Sequence, residues 1–313
     1  MTDGNAELSP VLAGMLAELE KNGSPPETRP EATTAALVER YPALAPVMVE
    51  PVEIDGPHGP VEARVYRNPE LTSDSGLVWV HGGAWVSGIL DNPEAHWVSM
   101  AIAAAGIPVL SVEYRKALNG VHFPVPSDDV LAAYVAAPAL LGNPGHVHIG
   151  GASAGANLAA GVTKRLRDGA GPLPASMVLA YGLFHPTLPE YSDELTAALT
   201  KDPQVDVIWR AVTPSINLNF VGDRALLADP YAFPANGELA GLPPTYEINS
   251  EVDSLRASGE EFARQLAAAS VEVVVETEPG TGHGHFDQPT QPQGERSLAR
   301  IVAWIRAREA ALR

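Results

Sequence analysis

The chain predicts an α/β fold, with a mostly parallel central sheet covered by helices on both faces. Three observations carry this expectation. Short apolar runs rich in β-branched or aromatic residues recur at 77–80, 109–112, 147–149, 177–181, 245–248 and 271–275. Helix-patterned stretches lie between several of them. Hydrophobic residues make up 45% of the chain against 19% charged, enough for a large core across 313 residues. Buried strands that alternate with helices build a doubly covered parallel sheet.

Taken in order, the first element is a helix. Ser9 can cap it, Pro10 suits its first position, and Leu12, Met15, Leu16 and Leu19 share one face. A breaker-rich loop, NGSPPETRP, fills 22–30. Runs 49–54 and 61–66 flank DGPHG and read as an antiparallel hairpin, because Val61, Ala63 and Val65 alternate with Glu62, Arg64 and Tyr66. The strand–helix rhythm then begins. Trp97, Val98, Ala101 and Ile102 pattern a helix that stops at Gly106, and Phe262 and Leu266 pattern another over 258–269. Leu298, Ile301, Val302 and Ile305 form a closing helical stripe. Residues 186–225 break the rhythm with a polar, partly helical insertion, the pattern of a cap or lid.

Composition narrows the function. Twenty Lys and Arg against 38 Asp and Glu leave a net charge of −18, which repels phosphate backbones and anionic lipid. No cysteine is present, so thiol nucleophiles, disulfides and cysteine-ligated metals are excluded. No apolar run reaches the ~18 residues of a membrane span. The opening MTDGNAELSP lacks the cationic start of a secretory signal, so a cytoplasmic protein is expected.

Four motifs carry chemistry. Gly151-Ala152-Ser153-Ala154-Gly155 follows an apolar run and precedes a helical face of Leu158, Val162 and Leu166. Strand, tight turn and helix are the setting of a nucleophile elbow, which lifts the serine hydroxyl above the sheet. The Ala154 N–H, at the helix start, can then face a developing oxyanion. His81-Gly82-Gly83-Ala84-Trp85 also follows a strand, and its glycines let backbone N–H groups approach a substrate oxygen. His81 itself reads as a loop-fixing residue. Serine chemistry needs a base and an acid to orient it. After the 245–248 run, Glu251 and Asp253 are candidate acids; Asp253 could equally cap a helix. After the 271–275 run, His283 and His285 are candidate bases in a Gly-rich loop. His146-x-His148 has metal-like spacing but no carboxylate companion, and reads as a packed strand. No phosphate-binding glycine loop occurs in context, so no nucleotide, metal or organic cofactor is expected. Trp85, Trp209 and Phe220 are candidate substrate-pocket residues.

Together these motifs resemble the hormone-sensitive lipase family of α/β-hydrolases, in its bacterial carboxylesterase branch. Its HGGG-type, G-x-S-A-G-G, D-x-L-R and H-G-F motifs appear here as HGGA (81–84), GASAGA (151–156), DSLR (253–256) and HGHF (283–286). Tyr114-Arg115, Phe123-Pro124-Val125-Pro126, Asp128-Asp129, Asp229-Pro230-Tyr231 and Gly241-Leu242-Pro243-Pro244 match supporting segments. The resemblance runs in order from about residue 50 to the C-terminus. It implies an α/β-hydrolase fold with a helical cap, Ser153 as nucleophile, Asp253 as acid and His283 as base. The implied oxyanion donors are the N–H groups of Gly83, Ala84 and Ala154, with Gly82 sharing. Ala84 departs from the third glycine of the family pattern, Ala152 and Ala156 replace its usual elbow neighbours, and His285 is an extra histidine. The expected organisation is a cap segment at 1–45, a core at 46–185 and 226–313, and a cap insertion at 186–225. The expected activity is hydrolysis of short to medium acyl esters, with a small ester as partner and homodimerisation left open. Lactone, amide or carbamate hydrolysis, or ligand binding without catalysis, are the rivals.

Overall fold

A computed structural model describes residues 10–22, 30–201 and 203–312, apart from the side chains of residues 10, 11 and 203–210. Ser9, the loop residues 23–29 and the Trp209 side chain lie outside the described residues. The strands are β1 (Met48–Ile54), β2 (Val61–Arg67), β3 (Ser75–Val80), β4 (Val109–Val112), β5 (His146–Ala152), β6 (Met177–Ala180), β7 (Thr245–Val252) and β8 (Val273–Gly282). They form one sheet in the order β1-β2-β4-β3-β5-β6-β7-β8. β1 pairs antiparallel with β2, with Val52 opposite Ala63, and β2 pairs antiparallel with β4. All pairs from β4 to β8 are parallel. This is the α/β-hydrolase architecture that the motifs imply.

The helices are α1 (Pro10–Asn22), α2 (Thr34–Arg40), α3 (Pro93–Ala104), α4 (Val125–Leu140), α5 (Ala154–Arg165), α6 (Asp193–Leu199), α7 (Pro203–Val221), α8 (Arg256–Ala268) and α9 (Pro292–Leu312). The period-2 alternation of β3 divides the core between the two sheet faces. Val78 and Val80 join the cluster under α4, α5 and α8, whereas Leu77 and Trp79 join the cluster under α3 and α9. α1 docks against α7 through the first cluster, while Leu37 of α2 packs into the second. No helix among the described residues is long and apolar enough to cross a membrane.

Three local expectations need correction. Met15 is 50% exposed, because α1 meets the body along the stripe of Leu12, Leu16 and Leu19 and turns Met15 away from it. The last strand begins at Val273 and not at 271, since Ser270 (φ 61°) and Val271 complete the α8 turn by a Val271 N–H bond to Leu266 O. As an edge strand, β8 leaves Val274 and Val275 partly exposed, one toward each face. His148, by contrast, packs as the strand residue the sequence predicts, buried between the hydroxyls of Ser176 (2.7 Å) and Ser75 (3.3 Å).

Candidate active site

The site lies beyond the C-terminal ends of the parallel strands, where open α/β sheets place their ligands. β5 delivers Ser153 into a turn at φ 53°, ψ −119°, before α5 starts at Ala154. A non-glycine residue in that conformation is strained by about 1–3 kcal/mol and persists only where its surroundings enforce it. The close approach of two chain segments does so here. A Cβ on Gly155 would sit 2.1 Å from Val80 O, and one on Gly151 would sit 2.5 Å from Gly155 C. Only glycine lets the elbow seat against the end of β3.

The serine hydroxyl is 2.9 Å from His283 Nε2, and His283 Nδ1 is 2.7 Å from Asp253 Oδ2. Asp253 is fully buried, and its other oxygen accepts the Leu255 N–H at 2.9 Å. Burial works to lower the His283 pKa, but the carboxylates of Asp253, Glu94 and Asp287 together outweigh it, and the imidazole ends above its ordinary value. Hydroxyl, imidazole and carboxylate form one hydrogen-bonded line, able to move a proton from Ser153 to His283.

The rival residues sit elsewhere. A register irregularity in β7 between Ser250 and Val252 re-aims the chain at this point. Glu251 therefore pairs with Lys201 at 2.5 Å and accepts the Gly280 N–H at 2.6 Å. His285 is 3% exposed and lies between Ser250 Oγ (2.9 Å) and Ser297 Oγ (3.2 Å). Burial pushes its pKa down to about 4.

The loop after β3 faces Ser153 from the other side. Gly83 (φ 111°), Ala84 (φ 51°) and Trp85 (φ 61°) are all left-handed, so Ala84 accepts strain that the third glycine of the motif would avoid. The Gly82 N–H is committed: it donates to Glu94 Oε2 at 2.5 Å. The Gly82 carbonyl accepts from Tyr114 Oη at 3.0 Å and from His81 Nδ1 at 2.7 Å. Burial and neighbouring Lys116 push the His81 pKa down, and the Lys116 ammonium lies 3.2 Å from Nε2. His81 thus fixes the loop.

Ala84, Trp85, Ser153, Ala154, Leu183, Thr213, Ile216 and Leu255 line a small, mainly apolar pocket. Trp85 stacks on Phe220 with ring centres 4.3 Å apart, and Phe220 is fully buried behind it, one layer from the pocket. Glu94 and Tyr181 were not indicated by the sequence. Glu94 opens α3, a position that ordinarily signals only a solvated acid facing the helix dipole.

Comparisons with known proteins agree with this architecture. Residues 77–287 match a family described as alpha/beta hydrolase fold. The chain is similar to carboxylesterase NlhH of Mycobacterium tuberculosis, 30% identical over 278 residues that cover 87% of this chain and 81% of that protein. Among solved structures it resembles the esterase of Pyrobaculum calidifontis, with a TM-score of 0.75 and 26% identity over 96% of this chain and 99% of that one. A bacterial hormone-sensitive lipase family esterase aligns with a TM-score of 0.72 and 25% identity, covering 97% of this chain and 99% of that one. The chain therefore belongs to the α/β-hydrolase fold family, in its hormone-sensitive lipase branch.

Proposed function

We propose that this chain is a serine carboxylesterase acting on short to medium acyl esters through an acyl-enzyme. The single observation that carries the proposal is the continuous hydrogen-bonded line from Asp253 through His283 to Ser153, set on a strained elbow. Esterase relatives over most of the chain length support the reaction class.

In the first half-reaction, Ser153 Oγ attacks the ester carbonyl while His283 Nε2 takes its proton. Asp253 holds the imidazole with its proton on Nδ1 and stabilises the imidazolium that forms. The N–H groups of Gly83, Ala84 and Ala154 receive the oxyanion, each donor contributing roughly 3–4 kcal/mol to the transition state. His283 then returns the proton to the departing alcohol. Water, deprotonated by the same imidazole, attacks the acyl-enzyme, and the imidazolium passes that proton to the departing Ser153 Oγ as the acid is released. Gly82 supports the loop and leaves oxyanion binding to its neighbours, since its N–H is held by Glu94. In this proposal residues 1–45 and 186–225 form the cap, and Thr213 and Ile216 bound the pocket.

An aryl phosphonate ester tests the assignment. Mass spectrometry should find a single adduct on Ser153, and Ser153→Ala should lose both labelling and p-nitrophenyl butyrate turnover while keeping its circular dichroism spectrum. Labelling elsewhere, with undiminished turnover in the variant, would overturn it.

A further inference from the structure

Gly82 is gripped by side chains from three parts of the fold, none of which touches the reacting atoms in the mechanism above. His81 and Tyr114 hold its carbonyl, while Glu94 holds its N–H. Glu94 is 6% exposed and uses both carboxylate oxygens. The second accepts the Tyr181 hydroxyl at 2.7 Å. The Tyr181 ring stands edge-on to His283, with ring centres 5.2 Å apart. The Glu94 main chain is anchored too: its carbonyl accepts the Trp79 indole N–H at 2.8 Å, and its N–H donates to Asp287 Oδ1 at 3.3 Å. A Cβ on Gly82 would meet Glu94 Oε2 at 2.6 Å and Ser153 Cβ at 2.9 Å, so this peptide is wedged between carboxylate and serine.

An acid in the first turn of a helix is stabilised by the helix dipole alone. That role accounts for neither the burial of Glu94 nor its two bonds to groups outside α3. A buried carboxylate that accepts from two fixed donors is instead a rigid joint, because charge-assisted bonds in a low-dielectric setting are strong. This one joins the oxyanion loop to the ring that packs against the histidine.

We propose that Glu94 is a positioning residue for ester hydrolysis, fixing the Gly82 peptide so that the following N–H groups face the oxyanion and placing negative charge beside His283. The inference rests on the esterase proposal for the same site. The titratable groups facing Glu94 are Tyr181 after β6, Tyr114 after β4, His283 after β8, and Asp287 in the turn that follows. Burial, followed by the charge of Asp287, lifts the Glu94 pKa to about 7, while the Tyr181 hydroxyl, the Gly82 N–H and the charge of His283 pull it back.

The test compares Glu94→Gln and Glu94→Ala with the parent protein on p-nitrophenyl butyrate, measuring kcat and KM from pH 5 to 9. Glutamine keeps an acceptor for Gly82 and a partner for Tyr181 but removes the charge. Its KM should stay within about twofold while the acid limb of kcat/KM moves down by about half a unit, because the imidazolium loses an anionic neighbour. Alanine frees the loop, and kcat should fall about 100-fold with KM little changed. A Glu94→Gln profile superimposable on the parent profile would overturn the proposal, as would parental kcat in folded Glu94→Ala. If the alanine variant fails to fold, the glutamine profile decides alone. Ser153→Ala run alongside separates the two levels. Turnover surviving in that variant defeats the serine mechanism itself. An inactive Ser153→Ala beside an unmoved Glu94→Gln defeats only the role of Glu94.

Discussion

Asp253→Asn should disable the proposed esterase through a tautomer, and the structure says which way the amide will turn. Asp253 Oδ1 accepts the Leu255 N–H at 2.9 Å, while Oδ2 faces His283 Nδ1 at 2.7 Å. In asparagine only the carbonyl oxygen can accept, so the Leu255 N–H draws it to the first position. The amide NH₂ then points at His283 Nδ1 and forces that nitrogen to accept. The ring proton moves to Nε2, where it blocks transfer from Ser153. Because Asp253 is fully buried, no water replaces the lost geometry. In serine hydrolases this tautomer switch costs about 10⁴-fold in kcat, or about 5.4 kcal/mol at 1.36 kcal/mol per tenfold. Glu251→Gln is the matched control. Its partners are Lys201 and the Gly280 N–H, and the amide oxygen can still accept from Gly280, so the loss should stay below about tenfold. Steady-state hydrolysis of p-nitrophenyl butyrate by both variants, folded by circular dichroism, checks the pair. Asp253→Asn retaining more than about a tenth of the parental kcat, or the reverse ranking, would refute the reasoning.

Two further outcomes follow from the site. His283→Ala should lose nearly all turnover and His285→Ala only part, because His285 is held between Ser250 and Ser297, and steady-state rates of both purified variants decide the ranking. Butyryl esters should outrun palmitoyl esters, and Ile216→Ala, which removes a pocket wall, should shift the optimum toward longer chains; a chain-length series of p-nitrophenyl esters in which palmitoyl leads in the parent protein would sink this expectation.

The parts of the fold and site legible in the sequence share one property: their geometry is set within a few residues. The elbow needs a strand, two close-packed glycines and a helix start, all contained in 146–165, and the sequence pattern reveals each. The sheet was similarly readable, because strands buried on both faces must be almost continuously apolar. Choosing Asp253 over Glu251 required more than spacing. The irregular register at the end of β7 sends these residues, two apart, toward different partners. Glu94 was illegible for another reason. Its burial is created by Gly82, Tyr181 and Asp287, which reach it from three other segments, so nothing next to it in the chain distinguishes it from a solvated helix-start acid. The commitment of the Gly82 N–H was hidden with it.

The pocket beside Ser153 has walls of different ancestry within the chain. The groups proposed to react hang from the ends of β3, β5, β7 and β8, whereas Thr213 and Ile216 belong to α7, inside the insertion. Each group of the line from Asp253 to Ser153 is tied to its neighbour by a hydrogen bond of 2.7–2.9 Å, and a changed residue there disturbs all of them. The α7 wall carries no such obligation: apart from filling space, Ile216 can vary in size while the proton path stays untouched. In the proposed mechanism, one wall of the pocket and the chemical step thus sit on separate stretches of polypeptide. An esterase laid out in this way can drift toward new esters by altering one helix, with its reactive centre kept intact throughout.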